Sequence, residues 1–366
     1  MKKLRKMEWW ILICAIILCG IGLVALFSAS YDSNLDEFKK QAVWIGISLV
    51  IMIIVMFIDY KILIKLSPIL YGIAIISLIA VLFTKPISGA RSWFVIGNDL
   101  FSFQPAEMSK VFIILFLSYV ISIIQRKGRN EINKITKLGI ILLTIAIPVL
   151  LIIVEPDYGT ATAYIIAFII MIFVAGIDKK YILSAFAIII IAVPLIYNFV
   201  LPQHAKSRID TFLHPESDPR GAGYNILQSK LAIGSGQVTG MGVLQGNQTQ
   251  LGYLYPKSTD FIFSVIGEEM GFVVACSVIL LNVVIITKSI QIAKGTKDEA
   301  GSYVAAGICG IFLFHTLENV GMTMGLLPIT GVPLLFVSYG RKLNDNKLYV
   351  SRNFTKYKWT KKKWNV

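Results

Sequence analysis

Nine stretches of this chain are predominantly apolar and long enough to cross a bilayer, at about 9–29, 42–58, 62–84, 106–124, 138–154, 159–176, 181–199, 260–286 and 302–326. Inside them apolar and polar residues do not alternate, so the segments are expected to be helices rather than barrel strands. A lipid environment demands one of those two forms, because no water is there to satisfy a free backbone group. The chain is therefore expected to be an all-α polytopic membrane protein with nine transmembrane helices. A water-soluble fold is excluded by 56% hydrophobic residues and a mean hydropathy of +0.72. The first span follows MKKLRKMEWW, as in a signal peptide. It is long for a signal core and more spans follow, so an uncleaved first helix is expected. Cys14, Cys19, Cys276 and Cys309 all sit in apolar runs without a paired CxxC. They read as small hydrophobes, not as disulfides or zinc ligands.

The net charge of +14 does not point to nucleic acid, because much of it lies in short loops between spans. With the N-terminus inside, sixteen Lys and Arg fall on the inner side, from Lys2, Lys3, Arg5 and Lys6 to Lys288, Lys294 and Lys297. Ten fall on the outer side before residue 341, in much longer loops. The positive-inside rule thus favours a cytoplasmic N-terminus. Two outer loops are long and polar, residues 85–105 and 200–259, and long ordered loops tend to carry function. No soluble domain and no internal repeat is evident. The glycine-rich GSGQVTG, 234–240, follows no strand, so it is not a phosphate loop.

Several polar residues lie at or inside the spans. Asp260 opens the eighth span in STDFIFSVIGEE, where it is either a helix cap or a functional carboxylate. Glu268 and Glu269 lie within that span, and such carboxylates usually face a cavity or a partner. Glu107 and Lys110, spaced i, i+3, can pair on one helix face, as a structural ion pair or in contact with substrate. Arg91 suits a phosphate. Trp93 suits a sugar or lipid, or a plain interfacial anchor. Asp157 sits in the tight turn of EPDYGTA. His315, Glu318 and Asn319 share the ninth span, where a polar face within the bundle and a cation site are both open.

The segments GARSW, FQPAEMSK, EPDYGTA, GAGYNILQS, LQGNQTQLGY, TDFIFSVIGEE and PITGVPLLFVSYG, in this order, resemble the SEDS family (shape, elongation, division and sporulation), which includes RodA and FtsW. LQGNQTQLGY looks more like the RodA branch. The resemblance runs from residue 1 to Gly340. It implies ten transmembrane helices with a large extracellular loop between the seventh and eighth, in a bacterial cytoplasmic membrane. It also implies polymerisation of lipid II into glycan strands, with a class B penicillin-binding protein as partner and no nucleic acid. The family's essential aspartate falls on Asp260, and its Arg/Trp and Glu/Lys positions fall on Arg91, Trp93, Glu107 and Lys110. There are departures. YPKSTD lacks the Glu and His that often precede the aspartate, Glu155 replaces a frequent Gln, and Leu335 a frequent Pro.

On that resemblance, the 4-hydroxyl of one lipid-linked disaccharide attacks the anomeric carbon of another, and undecaprenyl pyrophosphate leaves. Asp260 is the expected base, or the ligand of a divalent cation such as Mg²⁺ or Mn²⁺. Arg91 and Lys110 are the expected pyrophosphate contacts. A lipid II flippase is the rival, predicting functional groups near the midplane. A non-catalytic scaffold for a penicillin-binding protein is another. After Gly340 the resemblance stops. Residues 341–366 hold nine Lys and Arg against one acid, Asp345, so +8 of the +14 lies there. With nine spans this tail falls outside, against the positive-inside rule. A frameshift explains it better than an adaptation. One set of synonymous codons for Arg341 to Lys361, read one base on, encodes GSSMITNYMSVGILLNISGL, the pattern the family has there. The chain thus divides into a transmembrane unit, 1–340, and a basic tail, 341–366.

Overall fold

The computed structural model describes residues 8–85, 91–96, 101–200, 203–218 and 221–340. The tail from residue 341 and the family's tenth helix lie outside the described residues. The helices are α1 (Trp9–Ala29), α2 (Asp36–Phe57), α3 (Tyr60–Val81), α4 (Pro105–Gln125), α5 (Ile135–Val154), α6 (Tyr158–Ala175), α7 (Lys179–Leu195), α8 (Gln203–Leu213), α9 (Ala222–Ser235), α10 (Asn247–Gln250), α11 (Ile262–Gly295) and α12 (Glu299–Thr323). Among the described residues nine helices are long and apolar enough to cross a membrane, at the nine predicted places. Their ends differ where polar residues continue a helix. α2 starts at Asp36 because Asp36 and Glu37 suit the positive end of a helix dipole.

At the centre stands α12, whose small residues let its neighbours close in. A Cβ on Gly310 would lie 2.7 Å from the Ala167 Cα of α6, and one on Gly307 would lie 2.8 Å from Ile114 of α4. By contrast, no described residue of α7 is buried. A hairpin was not expected before α4. There β1 (Phe94–Ile96) pairs antiparallel with β2 (Phe101–Phe103), Phe94 opposite Phe103.

The predicted eighth span is two pieces. Gly271 sits inside α11 at φ 78°, a break that L side chains resist. The piece before it, from Ile262 to Glu269, is wholly buried in protein. The glycine-rich stretch 234–240 crosses this break backbone to backbone. Phe272 N donates to Gln237 O at 2.9 Å, and a Cβ on Gly236 would lie 1.9 Å from Gly267 O. Those glycines therefore serve a close crossing. After α12, residues 326–340 run without helix yet plunge into the core. Leu334 and Val337 are 0% exposed, and the Phe336 ring stacks on Phe312 at 5.5 Å.

Candidate active site

The turns at one end of the bundle enclose a cavity of ≈ 450 Å³. Its wall takes Glu37 from α2, Ser92 and Trp93 before β1, Gln104 and Glu107 at α4, and Pro156 and Asp157 between α5 and α6. Arg208 of α8, Thr259 and Asp260 before α11, and Thr330, Gly331, Pro333, Tyr339 and Gly340 complete it.

Asp260 does not cap α11. Phe261 occupies the cap position and no side chain bonds there. The carboxylate is left for the cavity, while its main chain is pinned. Asn319 Nδ2 of α12 donates to Asp260 O at 3.0 Å and to Val332 O at 2.9 Å, tying the aspartate to the final segment. Tyr339 N adds a bond to Ser258 O at 2.9 Å. Gly331 passes close to the carboxylate, since a Cβ there would lie 3.6 Å from Asp260 Oδ2. Burial raises the Asp260 pKa to about 6, against the pull of the Thr259 hydrogen bond and the Arg208 charge. The group is thus mostly ionised at neutral pH and near the range a general base needs.

Glu107 and Lys110 do pair, at 2.5 Å, and both are buried. Lys110 Nζ also lies 3.0 Å from His315 Nε2, whose other nitrogen is 2.9 Å from Pro333 O. An ammonium only donates, so Nε2 accepts, Nδ1–H donates to Pro333 O, and His315 is neutral. Glu107 faces the cavity, while Lys110 lies behind it. Asp157 is on the wall, where it accepts from Gln104 Nε2 at 2.7 Å and caps α6 through Thr160 N at 3.0 Å. Behind it, the Glu155 carboxyl is fully buried and lacks a full hydrogen-bond partner among the described residues, with only the Ser92 side chain near enough to lower its pKa. Burial, then the charge of Asp157, raises its pKa to about 8, so it is mostly protonated at neutral pH.

Of the residues predicted from sequence, Asp260, Trp93, Glu107 and Asp157 meet at the cavity. Arg91 is off the wall, its guanidinium exposed and donating to Leu82 O at 3.3 Å. Glu268 and Glu269 are also off it, bonded to the loop before α11. Glu268 accepts from Gln248 N at 2.7 Å, Thr249 N at 3.0 Å and Thr249 Oγ1 at 2.6 Å. Glu269 accepts from Ser28 Oγ at 2.6 Å and Gln250 Nε2 at 2.9 Å. Sequence reasoning missed Arg208, Glu37 and Tyr339. For Arg208 the signal was present: QHAKSRIDTFL is an amphipathic stretch inside the long polar loop. Among the described residues, no three His, Cys, Asp or Glu converge as metal ligands.

These features define a polytopic membrane protein with an acid-lined cavity at one end of its helices. The family model described as cell cycle protein (FtsW/RodA/SpoVE) matches residues 8–341, and the chain belongs to this SEDS family. It is similar to the peptidoglycan glycosyltransferase MrdB of Escherichia coli K12, with 35% identity over 90% of this chain and 87% of that protein. It is also similar to the peptidoglycan glycosyltransferase RodA of Treponema pallidum, with 30% identity over 91% and 93%. Its fold matches a chain solved for work on polymerization and crosslinking by a peptidoglycan synthase complex, with TM-score 0.79, 24% identity, and 95% and 97% of the chains covered.

Proposed function

We propose that this protein is a peptidoglycan glycosyltransferase that joins lipid II units into glycan strands. The observation that carries the reading is the Asp260 carboxyl on the wall of a cavity large enough for sugar and phosphate groups, with its main chain held by Asn319. Asp260 takes the proton from the acceptor 4-hydroxyl as that oxygen bonds to the anomeric carbon of the donor. The bond from that carbon to the phosphate oxygen breaks with inversion, and undecaprenyl pyrophosphate leaves with the electron pair. Trp93 offers a flat face to a sugar ring, and Glu107, neutralised by Lys110, accepts sugar hydroxyls. A magnesium or manganese ion would be held by Asp260 and the substrate's own phosphate oxygens, and would offset the leaving group's charge. The polar groups gather at one end of the bundle and not at its middle, which favours a polymerase over a flippase.

The family membership supports a bacterial cytoplasmic membrane, a role in elongation and shape, and a class B penicillin-binding protein as partner. Lys61, Lys65, Arg126, Lys127, Arg129, Lys179 and Lys180 lie in or beside the connections at the helix ends away from the cavity, at the starts of α3 and α7 and after α4. Positive charge favours the cytoplasm, so the N-terminus is cytoplasmic and the cavity opens outward. The test is purified protein with labelled lipid II and a gel for polymer. Wild type should give a ladder and Asp260→Ala none, with an unchanged elution profile in detergent. A full ladder from Asp260→Ala removes Asp260 from the mechanism.

A further inference from the structure

A lipid-linked disaccharide carries two phosphates, and a cavity that holds them needs a cation. Sequence reasoning offered Arg91 and Lys110, and neither lines the cavity. Arg91 is bonded to the Leu82 carbonyl away from the wall. Lys110 is buried between Glu107 and His315. Among the described residues that line the cavity, Arg208 is the one cation. Its guanidinium makes no hydrogen bond and no ion pair among the described residues, while its charge is felt at Asp260. The nearest acid on its own helix, Asp210, is already engaged with the Tyr197 hydroxyl at 2.8 Å. The helix is anchored one turn on by Thr211, which is buried. At its start, Lys206 Nζ donates to Asn198 O at 3.1 Å, which ties α8 to the end of α7.

We infer that Arg208 binds the pyrophosphate of the lipid-linked substrate, with α8 presenting a bidentate donor to the same cavity that Asp260 faces. The inference rests on the polymerase reading for the identity of the phosphate. A guanidinium is suited to the task, since it cannot lose its charge and its paired N–H groups match two phosphate oxygens. The phosphate belongs to the donor or to the acceptor, and kinetics separates the two. A donor pyrophosphate gains charge as it leaves, so losing Arg208 lowers kcat. An acceptor pyrophosphate keeps its charge, so the loss raises KM alone.

The experiment uses the full chain in detergent and direct binding of undecaprenyl pyrophosphate, with undecaprenol as the phosphate-free probe. Arg208→Gln should weaken undecaprenyl pyrophosphate binding by about 10- to 100-fold, the size of one lost charge-assisted contact. Undecaprenol should bind all variants equally. Arg208→Lys should recover part of the affinity, since charge returns without the fork. Gln203→Ala, exposed at the start of the same helix and off the wall, should match wild type. Wild-type affinity in Arg208→Gln overturns the inference. So does an equal loss for undecaprenol, which would mean only that the cavity is deformed. Binding needs no turnover, so it is measured without added divalent ion and independently of polymer formation. If wild type binds undecaprenyl pyrophosphate through Arg208 yet polymerises nothing, the polymerase reading fails and the pyrophosphate site stands.

Discussion

Asp260 and Glu155 are both carboxyl groups beside one cavity, and their surroundings set them apart. Asp260 keeps a hydrogen bond from Thr259 and the field of Arg208, so burial lifts it only to about 6. An unperturbed aspartate titrates near 3.9. As a base it must be ionised, so kcat/KM should fall tenfold per pH unit below about pH 6 and level off above it. A profile flat down to pH 5 would remove Asp260 as the base. Glu155 is buried and lies near Asp157, and the Ser92 side chain offsets this only in part, so it reaches about 8. Its folded value is above the unfolded one, near 4.3. The folded state therefore holds a proton that the unfolded state releases, and stability falls as pH rises from about 4.3 to 8. Glu155→Gln keeps the neutral shape and removes that slope. The variant should match wild type at pH 5 and melt higher at pH 8 in detergent. Parallel melting curves at every pH would show that Glu155 is ionised in the fold. Neither difference was legible in the sequence, where Asp260 was open to a helix-cap reading until the family resemblance singled it out and Glu155 was only a departure from the family pattern.

At the scale of elements, nine membrane-length helices were legible because a lipid-facing helix is apolar along its whole length. The α11 break was not, since FIFSVIGEEMGFVV is apolar on both sides of Gly271 and a bend leaves no trace in hydropathy. Two consequences followed. Glu268 and Glu269 looked like carboxylates within a span, whereas they lie in a protein-buried half-helix and fasten the loop at 248–250. The glycine-rich stretch 234–240 looked idle, whereas it crosses the break. Four wall residues, Trp93, Glu107, Asp157 and Asp260, were legible, two of them for a related reason: Glu107 and Asp157 sit at helix starts, where motifs are local. Arg208 is brought there by the path of a long loop, which no local pattern encodes. The break itself is testable. Gly271→Ala puts a side chain at φ 78° with its Cβ 2.3 Å from Gly240 N. The backbone at φ 78°, ψ −178° is open essentially to glycine alone and costs an L residue about 1–3 kcal/mol, and the clash adds to it. The variant should melt several degrees lower in detergent, while Gly72→Ala, with open space around it in α3, should be neutral or stabilising. Equal effects at both sites would mean the break is not required.

For the molecule as a whole, the weight falls on where the chain leaves the family. The last described segment, up to Gly340, is still packed into the bundle. Val337 packs so closely on α1 that a Cβ on Gly22 would lie 2.7 Å from its carbonyl, and Tyr339 and Gly340 still line the cavity. The family match ends at residue 341. The next 26 residues, outside the described part, turn from apolar to strongly basic, with nine Lys and Arg and a single acid. On the outward-facing orientation that tail also stands on the side where positive charge is disfavoured. We propose that the coding DNA carries one extra base near codon 341. Synonymous codons for the tail that read GSSMITNYMSVGILLNISGL one base on show that the idea is compatible with the protein sequence, although the codons were selected to do so. Resequencing decides it. Real codons that give stops or polar residues one base on would sink the proposal. If the shift is present in the cell, the product lacks the tenth helix that the family resemblance implies, next to a segment that forms one wall of the site. Restoring the frame should then raise polymer formation from lipid II by at least about tenfold, the scale of a small displacement in a positioned site. Equal activity of the two forms would show that nine helices and the segment ending at Gly340 are enough to hold Asp260 in place.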